Sequence, residues 1–455
     1  MLHNRTVKDK LLKGGAWVIG SRMATAITLF STNALLARIL TPEEMGKYFL
    51  IFSLVSFFAI VAQMGLKKVV VKHISGALAL DRNQDVSTIV LLSFLGNLLG
   101  AILVCLIIAS SLGEWAIKSA FGIHNNNNLL LWVALWVVAL SLMQLMAEIF
   151  RGFHDLKMAS LFGGVVSSTL ALVMFYVWKS IHLRGDVADA VMLSAIAWCA
   201  AALISLYFVL KVTKSICKLG YAKNKIKNIV REMIKVAWPL WISEIFVFGL
   251  LQFDLWIVGA MLTASDTAIY GAAARFIIVI SLPLMLVNAL LPPIIGESFA
   301  RAKLKSIEPV LRGAASLAFY IAIISLIVFS IFGYQILIMA FGEFYTSSYT
   351  VLMILMVGKV IDVFTGSCGL LLAMTGHQKT VLALNSTFGI ITVAGAIVVA
   401  PINGTTGVAT IAASGLVIQN MIMMYIAHAR LNIFTSAIVN PWAVFSLFRH
   451  ALANK

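Results

Sequence analysis

The sequence predicts an all-α membrane protein with about twelve transmembrane helices, arranged as two six-helix lobes around a central cavity. Hydrophobic residues make up 61% of its 455 residues and charged residues only 11%, and the mean hydropathy is +0.99. Soluble domains carry about 25% charged residues. The apolar residues form runs long enough to cross about 30 Å of hydrocarbon, and the basic residues cluster between these runs. Most of the surface must therefore face lipid.

The apolar runs form two sets of six. The first set lies at roughly 14–39, 44–66, 86–110, 129–150, 158–179 and 187–210. The second set lies at roughly 236–262, 267–295, 313–339, 350–374, 381–402 and 406–429. They predict an N-terminal lobe (1–210), a basic cytoplasmic linker (211–235), a C-terminal lobe (236–430) and a cytoplasmic tail (431–455). Asn440-Pro441 in the tail is typical of the start of a helix, and the apolar stripe after it predicts an interfacial helix.

Lys and Arg residues set the orientation of the spans. With the N-terminus inside, 26 of the 34 Lys and Arg residues fall in inside segments, five in outside segments and three within spans. Both termini are therefore predicted to be cytoplasmic. The run from Gly14 to Ile39 is too long for the apolar region of a signal peptide and contains Arg22, so we interpret it as an uncleaved first span.

The two halves of the chain repeat at an offset of 222 residues. Thr41 and Tyr48, after the first span, recur as Thr263 and Tyr270 after the seventh. A duplicated unit of six spans keeps its membrane orientation, so the two lobes would be related by an axis along the membrane normal.

The sequence carries no signature of catalysis or of a cofactor. It lacks a nucleotide-binding loop, a Cys/His metal spacing and a nucleophile–base pair at motif spacing, so we expect no metal, no other cofactor and no enzyme activity. The net charge of +16 comes from short segments between spans. Nucleic-acid-binding proteins instead gather basic residues on one folded face, so we expect no nucleic-acid partner. The cysteines are far apart and are interpreted as apolar fillers: Cys105, Cys199, Cys217 and Cys368.

Charged residues within the spans are the candidate functional residues, because each costs about 2.5–3.5 kcal/mol at the centre of a spanning helix. Arg22 lies about eight residues into the first span, on a polar stripe that should face protein or water. Glu244 lies at the same depth in the seventh span, 222 residues further on, with Asp254 on its face.

The eighth and tenth spans carry three more such charges. Arg275 lies a turn or two into the eighth span, and Lys359 and Asp362 share one face of the tenth. An i,i+3 spacing brings two side chains together on a helix, so these last two residues can form an ion pair by themselves.

Short motifs follow one another along most of the chain, from residue 16 to about 380. They are Leu40-Thr41-Pro42-Glu43-Glu44-Met45-Gly46-Lys47-Tyr48, Arg151-Gly152, Trp238-Pro239, Asp254 with Gly259, Tyr270-x-x-Ala273-x-Arg275, and Leu371-Leu372-Ala373-x-x-Gly376-x-Gln378-Lys379. Together they resemble the polysaccharide, or O-antigen, flippases of the multidrug/oligosaccharidyl-lipid/polysaccharide exporter superfamily.

This resemblance implies a multi-pass protein of the bacterial inner membrane, working in O-antigen, lipopolysaccharide or other surface polysaccharide biosynthesis. It implies transfer of an undecaprenyl-diphosphate-linked oligosaccharide repeat unit from the inner to the outer leaflet by alternating access. The implied partners are this lipid-linked oligosaccharide, membrane lipids, and the polysaccharide polymerase and chain-length proteins. Coupling to protons or to sodium ions stays open.

The charges within the spans then have two interpretations. As functional groups, Arg22, Arg275 and Lys359 would bind the lipid diphosphate, because its charge needs fixed cations. Glu244, Asp254 and Asp362 would act in gating or coupling. Arg22 and Glu244 would form an inner gate, paired in the outward-open state and parted in the inward-open state, which leaves Arg22 free for the incoming diphosphate. As structural groups, Arg22 would pair with Glu244, and Lys359 with Asp362.

The sequence leaves two alternative functions. A cation-coupled multidrug exporter of the same superfamily would need a cavity dominated by acidic residues, whereas here the cations and acids within the spans balance. A membrane-embedded polysaccharide polymerase or ligase would need a large polar outer loop, which the sequence lacks.

The predicted topology can be tested by cysteine labelling from either side of the membrane. We expect residues 215–230 and the C-terminus to react only from the cytoplasm, and residues 264–266 and 403–406 only from outside, because the Lys and Arg distribution fixes the orientation. External labelling at 215–230 would contradict both the span count and the repeat.

Overall fold

The computed structural model describes residues 2–80, 82–110, 127–181, 185–216, 226–301 and 304–440. The first half contains α1 (Leu2–Leu36), α2 (Pro42–Ala62), α3 (Leu66–Ala79), α4 (Asn83–Ala109), α5 (Asn127–Gly152), α6 (Leu156–Ser160), α7 (Val166–Ile181) and α8 (Val187–Ile216). The second half contains α9 (Ile226–Met261), α10 (Ala264–Ala300), α11 (Glu308–Ala340), α12 (Tyr349–Thr365), α13 (Cys368–Met374) and α14 (Gln378–Leu431). These ranges contain no strand, so the all-α class is confirmed.

Nine helices of the described residues are long and apolar enough to span a membrane, and α10, which bends by 48°, makes a tenth. α14 has 54 residues but consists of two helices, because Gly404 has the non-helical angles φ 59° and ψ −147°. This break falls between the spans predicted at 381–402 and 406–429. α1 covers the first predicted span but is not among the nine helices, so the count of twelve stays a prediction.

The chain divides into two compact units, unit 1 (Met1–Gln252) and unit 2 (Phe253–Lys455). The division lies inside α9, whereas the apolar runs of the sequence predict the boundary between lobes in the linker 211–235. The predicted linker is itself partly helical, since α8 continues to Ile216 and α9 begins at Ile226.

The same local structure occurs at both copies of the sequence repeat. Thr41 caps α2 and Thr263 caps α10. Each threonine side chain accepts a hydrogen bond from the backbone N–H of the third helical residue. The carboxylate of that residue accepts one from the backbone N–H of the threonine in return. Such a capping box satisfies backbone N–H groups that a helix start leaves unpaired. The repeated tyrosines are also both buried: the Tyr48 hydroxyl lies 3.0 Å from Ser194 Oγ, and the Tyr270 hydroxyl donates to Asp254.

Aromatic rings form the centre of the unit 1 core. Phe162 stacks on Phe150 with ring centroids 5.6 Å apart, and Phe208 lies 5.8 Å from Phe162. Met233 and Ala237 of α9 are buried in the same cluster. The first half of α9 is therefore part of the unit 1 core.

The chain after α14 packs on unit 2. Asn432 ends the helix in the left-handed conformation (φ 53°). Thr435 then donates to the Thr365 carbonyl at 2.8 Å, and the Ile438 N–H donates to Ser316 Oγ at 2.7 Å. The interfacial helix predicted to begin at Asn440-Pro441 falls on 441–455 and lies outside the described residues.

Candidate functional site

Arg22 lies on α1 with its side chain exposed. It forms no ion pair with any residue in the described part of the chain. An unpaired guanidinium in hydrocarbon is costly, so a charged residue at this depth must face water or a polar ligand. The structure therefore presents Arg22 as a cation that is available to an anion.

The rest of the polar stripe on α1 faces protein. Thr32 and Asn33 are buried, and each donates to the carbonyl four residues earlier on α1. Thr28 Oγ1 lies 2.6 Å from Ser168 Oγ of α7. A π-helical turn (Leu161–Val165) precedes α7, and Gly164 within it has φ 149° beside Thr25. The hydroxyl groups of this stripe serve helix packing, and Arg22 alone of these residues is exposed.

The first half of α9 is held against the corner between α2 and α3 along one helical face. Gly65 adopts φ +73°, and a Cβ there would lie 2.2 Å from the Ala237 carbonyl oxygen. Trp241 Nε1 donates to the Val61 carbonyl at 3.1 Å. Spacings of three and four residues place side chains on one helix face, so the neighbours of Trp241 on this face extend the contact in both directions along α9.

Glu244 is on that face, and it pairs with Lys68 of α3 at 3.1 Å. The structural ion pair expected between Arg22 and Glu244 does not form in this structure. The reason is long-range: the close approach at Gly65 brings the start of α3 to α9, and Lys68 then reaches Glu244. The gate hypothesis, in which Arg22 and Glu244 pair only in the outward-open state, stays a prediction. We call Val61, Gly65, Lys68, Ala237, Trp241 and Glu244 the unit 1 latch.

Unit 2 contains a polar network on the predicted cytoplasmic half of α12. Lys359 Nζ lies 2.6 Å from Asp362 Oδ2, which confirms the ion pair predicted from their spacing. Asn420 of α14 donates to the other carboxylate oxygen of Asp362 at 2.8 Å. Their side chains are 22% and 14% exposed, for Lys359 and Asp362 respectively. Both charges are thus neutralised inside unit 2, which favours a structural role for Lys359.

Asp254 has a different environment. Its Oδ2 accepts a hydrogen bond of 2.8 Å from the Tyr270 hydroxyl, and its Oδ1 accepts one of 2.8 Å from the Leu255 N–H. No Lys, Arg or His side chain of the described residues forms an ion pair with it. Arg275 lies further along α10 and is half-buried. Asp254 is therefore a carboxylate held by neutral donors.

Three polar partners of the predicted acidic residues were not themselves identified from the sequence as site residues. Lys68 was counted only as one of the basic residues of an inside segment, because nothing in the sequence around it shows which residue it contacts. Tyr270 was noted as a motif residue without a role. Asn420 is a polar residue within a predicted span, and that was a usable signal.

The sequence matches a family model described as polysaccharide biosynthesis protein over residues 11–299. The chain belongs to this family. No curated protein matches the sequence at a significant level.

Solved structures show which fold this family member has. An inward-facing multidrug resistance MATE family transporter of the MOP superfamily has a TM-score of 0.73 and 16% identity, with 90% of this chain and 94% of that chain covered. A MOP superfamily transporter from Pyrococcus furiosus has a TM-score of 0.61 and 14% identity, with 93% and 96% covered. The chain therefore has the MATE transporter fold, and it is a multi-pass membrane protein of the polysaccharide biosynthesis family.

The pairing in the unit 1 latch can be measured with a double-mutant cycle of Lys68→Gln and Glu244→Gln. Lys68 is 58% exposed and Glu244 17% exposed, so solvent screens the pair. We expect a coupling free energy of about 0.5–1 kcal/mol in the unfolding of the purified protein in detergent.

Lys67→Gln is the matched control, because Lys67 is the adjacent lysine on α3. Its cycle with Glu244→Gln should give less than about 0.3 kcal/mol. Equal coupling for Lys67 and Lys68 would show that the ion pair does not form in solution.

Proposed function

We propose that this protein is a flippase of the bacterial inner membrane. It moves an undecaprenyl-diphosphate-linked oligosaccharide repeat unit from the inner to the outer leaflet by alternating access, for the biosynthesis of O-antigen or another surface polysaccharide. The family supports the pathway, and the MATE fold supports transport. The observation that carries the proposal is the exposed guanidinium of Arg22 within a predicted span, which suits an anionic cargo.

The cations divide into two groups in this proposal. Arg22 and Arg275 bind the diphosphate, because a guanidinium can donate two parallel hydrogen bonds to phosphate oxygens. Lys359 is the weaker candidate for such a contact, because Asp362 already neutralises it at 2.6 Å.

The acidic residues argue against the multidrug exporter for cationic drugs. Glu244 and Asp362 each pair with a lysine, and Asp254 is hydrogen-bonded to Tyr270. Cationic drugs would have to displace a lysine from two of these three carboxylates. The exposed intramembrane cation Arg22 also repels such drugs.

Asp254 is the best candidate for the coupling residue. Glu244 and Asp362 have an ammonium partner, so their charge is balanced within the protein. Asp254 has only neutral donors in the described structure, so a proton or a sodium ion taken from water would balance its charge. We propose that Asp254 takes up this ion and that Tyr270 orients the carboxylate. Glu244 and Lys68 in turn form the latch that holds α9 on unit 1.

The cation assignment is tested by the export of surface polysaccharide in cells that carry Arg22→Ala or Arg275→Ala as their single copy. Each variant should reduce export severalfold while its amount in the membrane stays normal, because a fixed charge on the route of the diphosphate is lost. Lys at either position should rescue only in part, because an ammonium lacks the planar fork of guanidinium.

Arg301→Ala is the control for this experiment. Arg301 is an exposed arginine at the end of α10 that pairs with Glu297, so export should not change. Normal export in both Arg22→Ala and Arg275→Ala would remove the diphosphate-binding assignment.

The coupling assignment is tested with Asp254→Asn in proteoliposomes that carry an imposed pH or sodium gradient. An amide keeps an acceptor for Tyr270 but cannot bind a proton, so transport should lose its response to the gradient. Tyr270→Phe keeps the carboxylate and should retain a weaker response. Glu297→Gln, an exposed carboxylate on α10, is the control. An unchanged gradient response in Asp254→Asn would eliminate Asp254 as the coupling residue.

A further inference from the structure

Unit 1 contains an apolar groove of about 450 Å³ between α4, α5 and α8. α5 forms its floor, and the other two helices form its walls. The lining residues are apolar, apart from one thiol: Phe94, Leu95, Leu98, Leu135, Val138, Ala139, Leu142, Met146, Cys199, Ala202, Leu203 and Leu206. An apolar cavity of about 150 Å³ stays dry and binds benzene. A groove three times that size, at the depth of the hydrocarbon, holds a hydrocarbon chain.

The groove is open to the surface of unit 1, where the predicted spans would face lipid. Leu95 and Leu203, on opposite walls, are 53% and 68% exposed. Ala139 on the floor is only 3% exposed. A lipid chain can therefore enter sideways from the bilayer, with no polar barrier between the exposed walls and the buried floor.

The length of the groove indicates which kind of lipid chain it can bind. On α5 the lining residues extend from Leu135 to Met146, which is roughly 16 Å of helix. The predicted span ends near residue 150, so the groove extends from about 6 Å to about 22 Å above the inner boundary of the hydrocarbon. One leaflet is only about 15 Å thick. The groove therefore crosses the bilayer midplane, which the acyl chain of an inner-leaflet phospholipid does not pass.

A cation marks the predicted cytoplasmic end of the groove. Lys214 follows Leu203 on α8 by eleven residues, or about three helical turns, so it lies on the same helix face. Its side chain is exposed. An ammonium near the inner membrane surface attracts lipid phosphate. A lipid whose phosphate lies at Lys214 fills the groove only if its chain continues past the midplane.

We propose that this groove binds the isoprenoid chain of the lipid carrier while its phosphate lies on the cytoplasmic side. The proposal rests on the proposed function, since it assigns a site to the lipid part of the same substrate. Unit 1 then holds the long chain in the groove while the phosphate is near Lys214, before the diphosphate reaches Arg22 and Arg275.

The test measures lipid binding to the purified full-length protein by native mass spectrometry. The two probes are undecaprenyl phosphate and dipalmitoyl phosphatidate, which share a phosphate and differ in the chain. We expect the wild type to retain undecaprenyl phosphate at least about tenfold more tightly, or about 1.4 kcal/mol. Ala139→Phe, which fills the floor, should lower undecaprenyl phosphate binding by about tenfold and leave phosphatidate binding unchanged.

Leu203→Trp on the exposed wall is the second groove variant, for the case that Ala139→Phe does not fold. Ile204→Trp is its matched control, because Ile204 is the next residue, is 42% exposed and does not line the groove. Leu203→Trp should weaken binding of undecaprenyl phosphate, and Ile204→Trp should not.

The outcomes separate the groove from the function. Binding of undecaprenyl phosphate that Leu203→Trp leaves unchanged overturns the groove and leaves the flippase proposal standing. Equal binding of the two probes by the wild type shows that the protein recognises phosphate alone, which also overturns the groove. A wild type that binds neither probe contradicts the groove, and normal polysaccharide export in cells lacking the protein contradicts the flippase proposal independently.

Discussion

The cost of an unbalanced charge in hydrocarbon governs the arrangement of this protein. Each charge in or near a span requires a counter-charge, a hydrogen-bond donor or water. Lys359 has Asp362, Glu244 has Lys68, and Asp254 has the hydroxyl of Tyr270. Arg22 has an exposed side chain instead. These solutions differ in how easily a ligand can replace the partner. That difference supports the roles that we propose: the ion pairs hold structure, Arg22 binds the cargo and Asp254 binds an ion.

Local sequence patterns predicted the contacts that form within one helix or one turn. Lys359 and Asp362 are three residues apart on one helix, so their pairing required no knowledge of the fold. Thr41 and Thr263 also make local contacts, since each caps a helix through a residue three positions away, but the sequence pattern was interpreted only as a repeat. Glu244 shows the limit of this reasoning. Its partner was expected at the repeat-equivalent position, but Lys68 is brought to it by a left-handed glycine and a close helix approach, neither of which is encoded near Glu244.

The two halves of the repeat agree more closely in their helix starts than in their polar and charged groups. The capping boxes after the first and seventh spans agree at an offset of 222 residues, because both copies need the same helix start. Tyr48 and Tyr270 are both buried, but Tyr48 meets a serine hydroxyl and Tyr270 a carboxylate. The two halves thus share a framework but differ in their polar groups. Such a difference suits the asymmetric lipid-linked cargo that we propose.

α9 connects the two acidic sites covalently. Glu244 belongs to unit 1 and Asp254 to unit 2, and Asp254 follows Glu244 by ten positions in the same helix. Pro239 precedes both Glu244 and Asp254 on α9. It removes one backbone hydrogen bond, which weakens the helix there. No loop separates the latch from the carboxylate held by Tyr270. A displacement of α9 that breaks the Lys68–Glu244 pair is therefore absorbed at Pro239 or passed along the helix to Asp254. The ion uptake that we propose at Asp254 and the release of the latch would then bias the same movement of this helix.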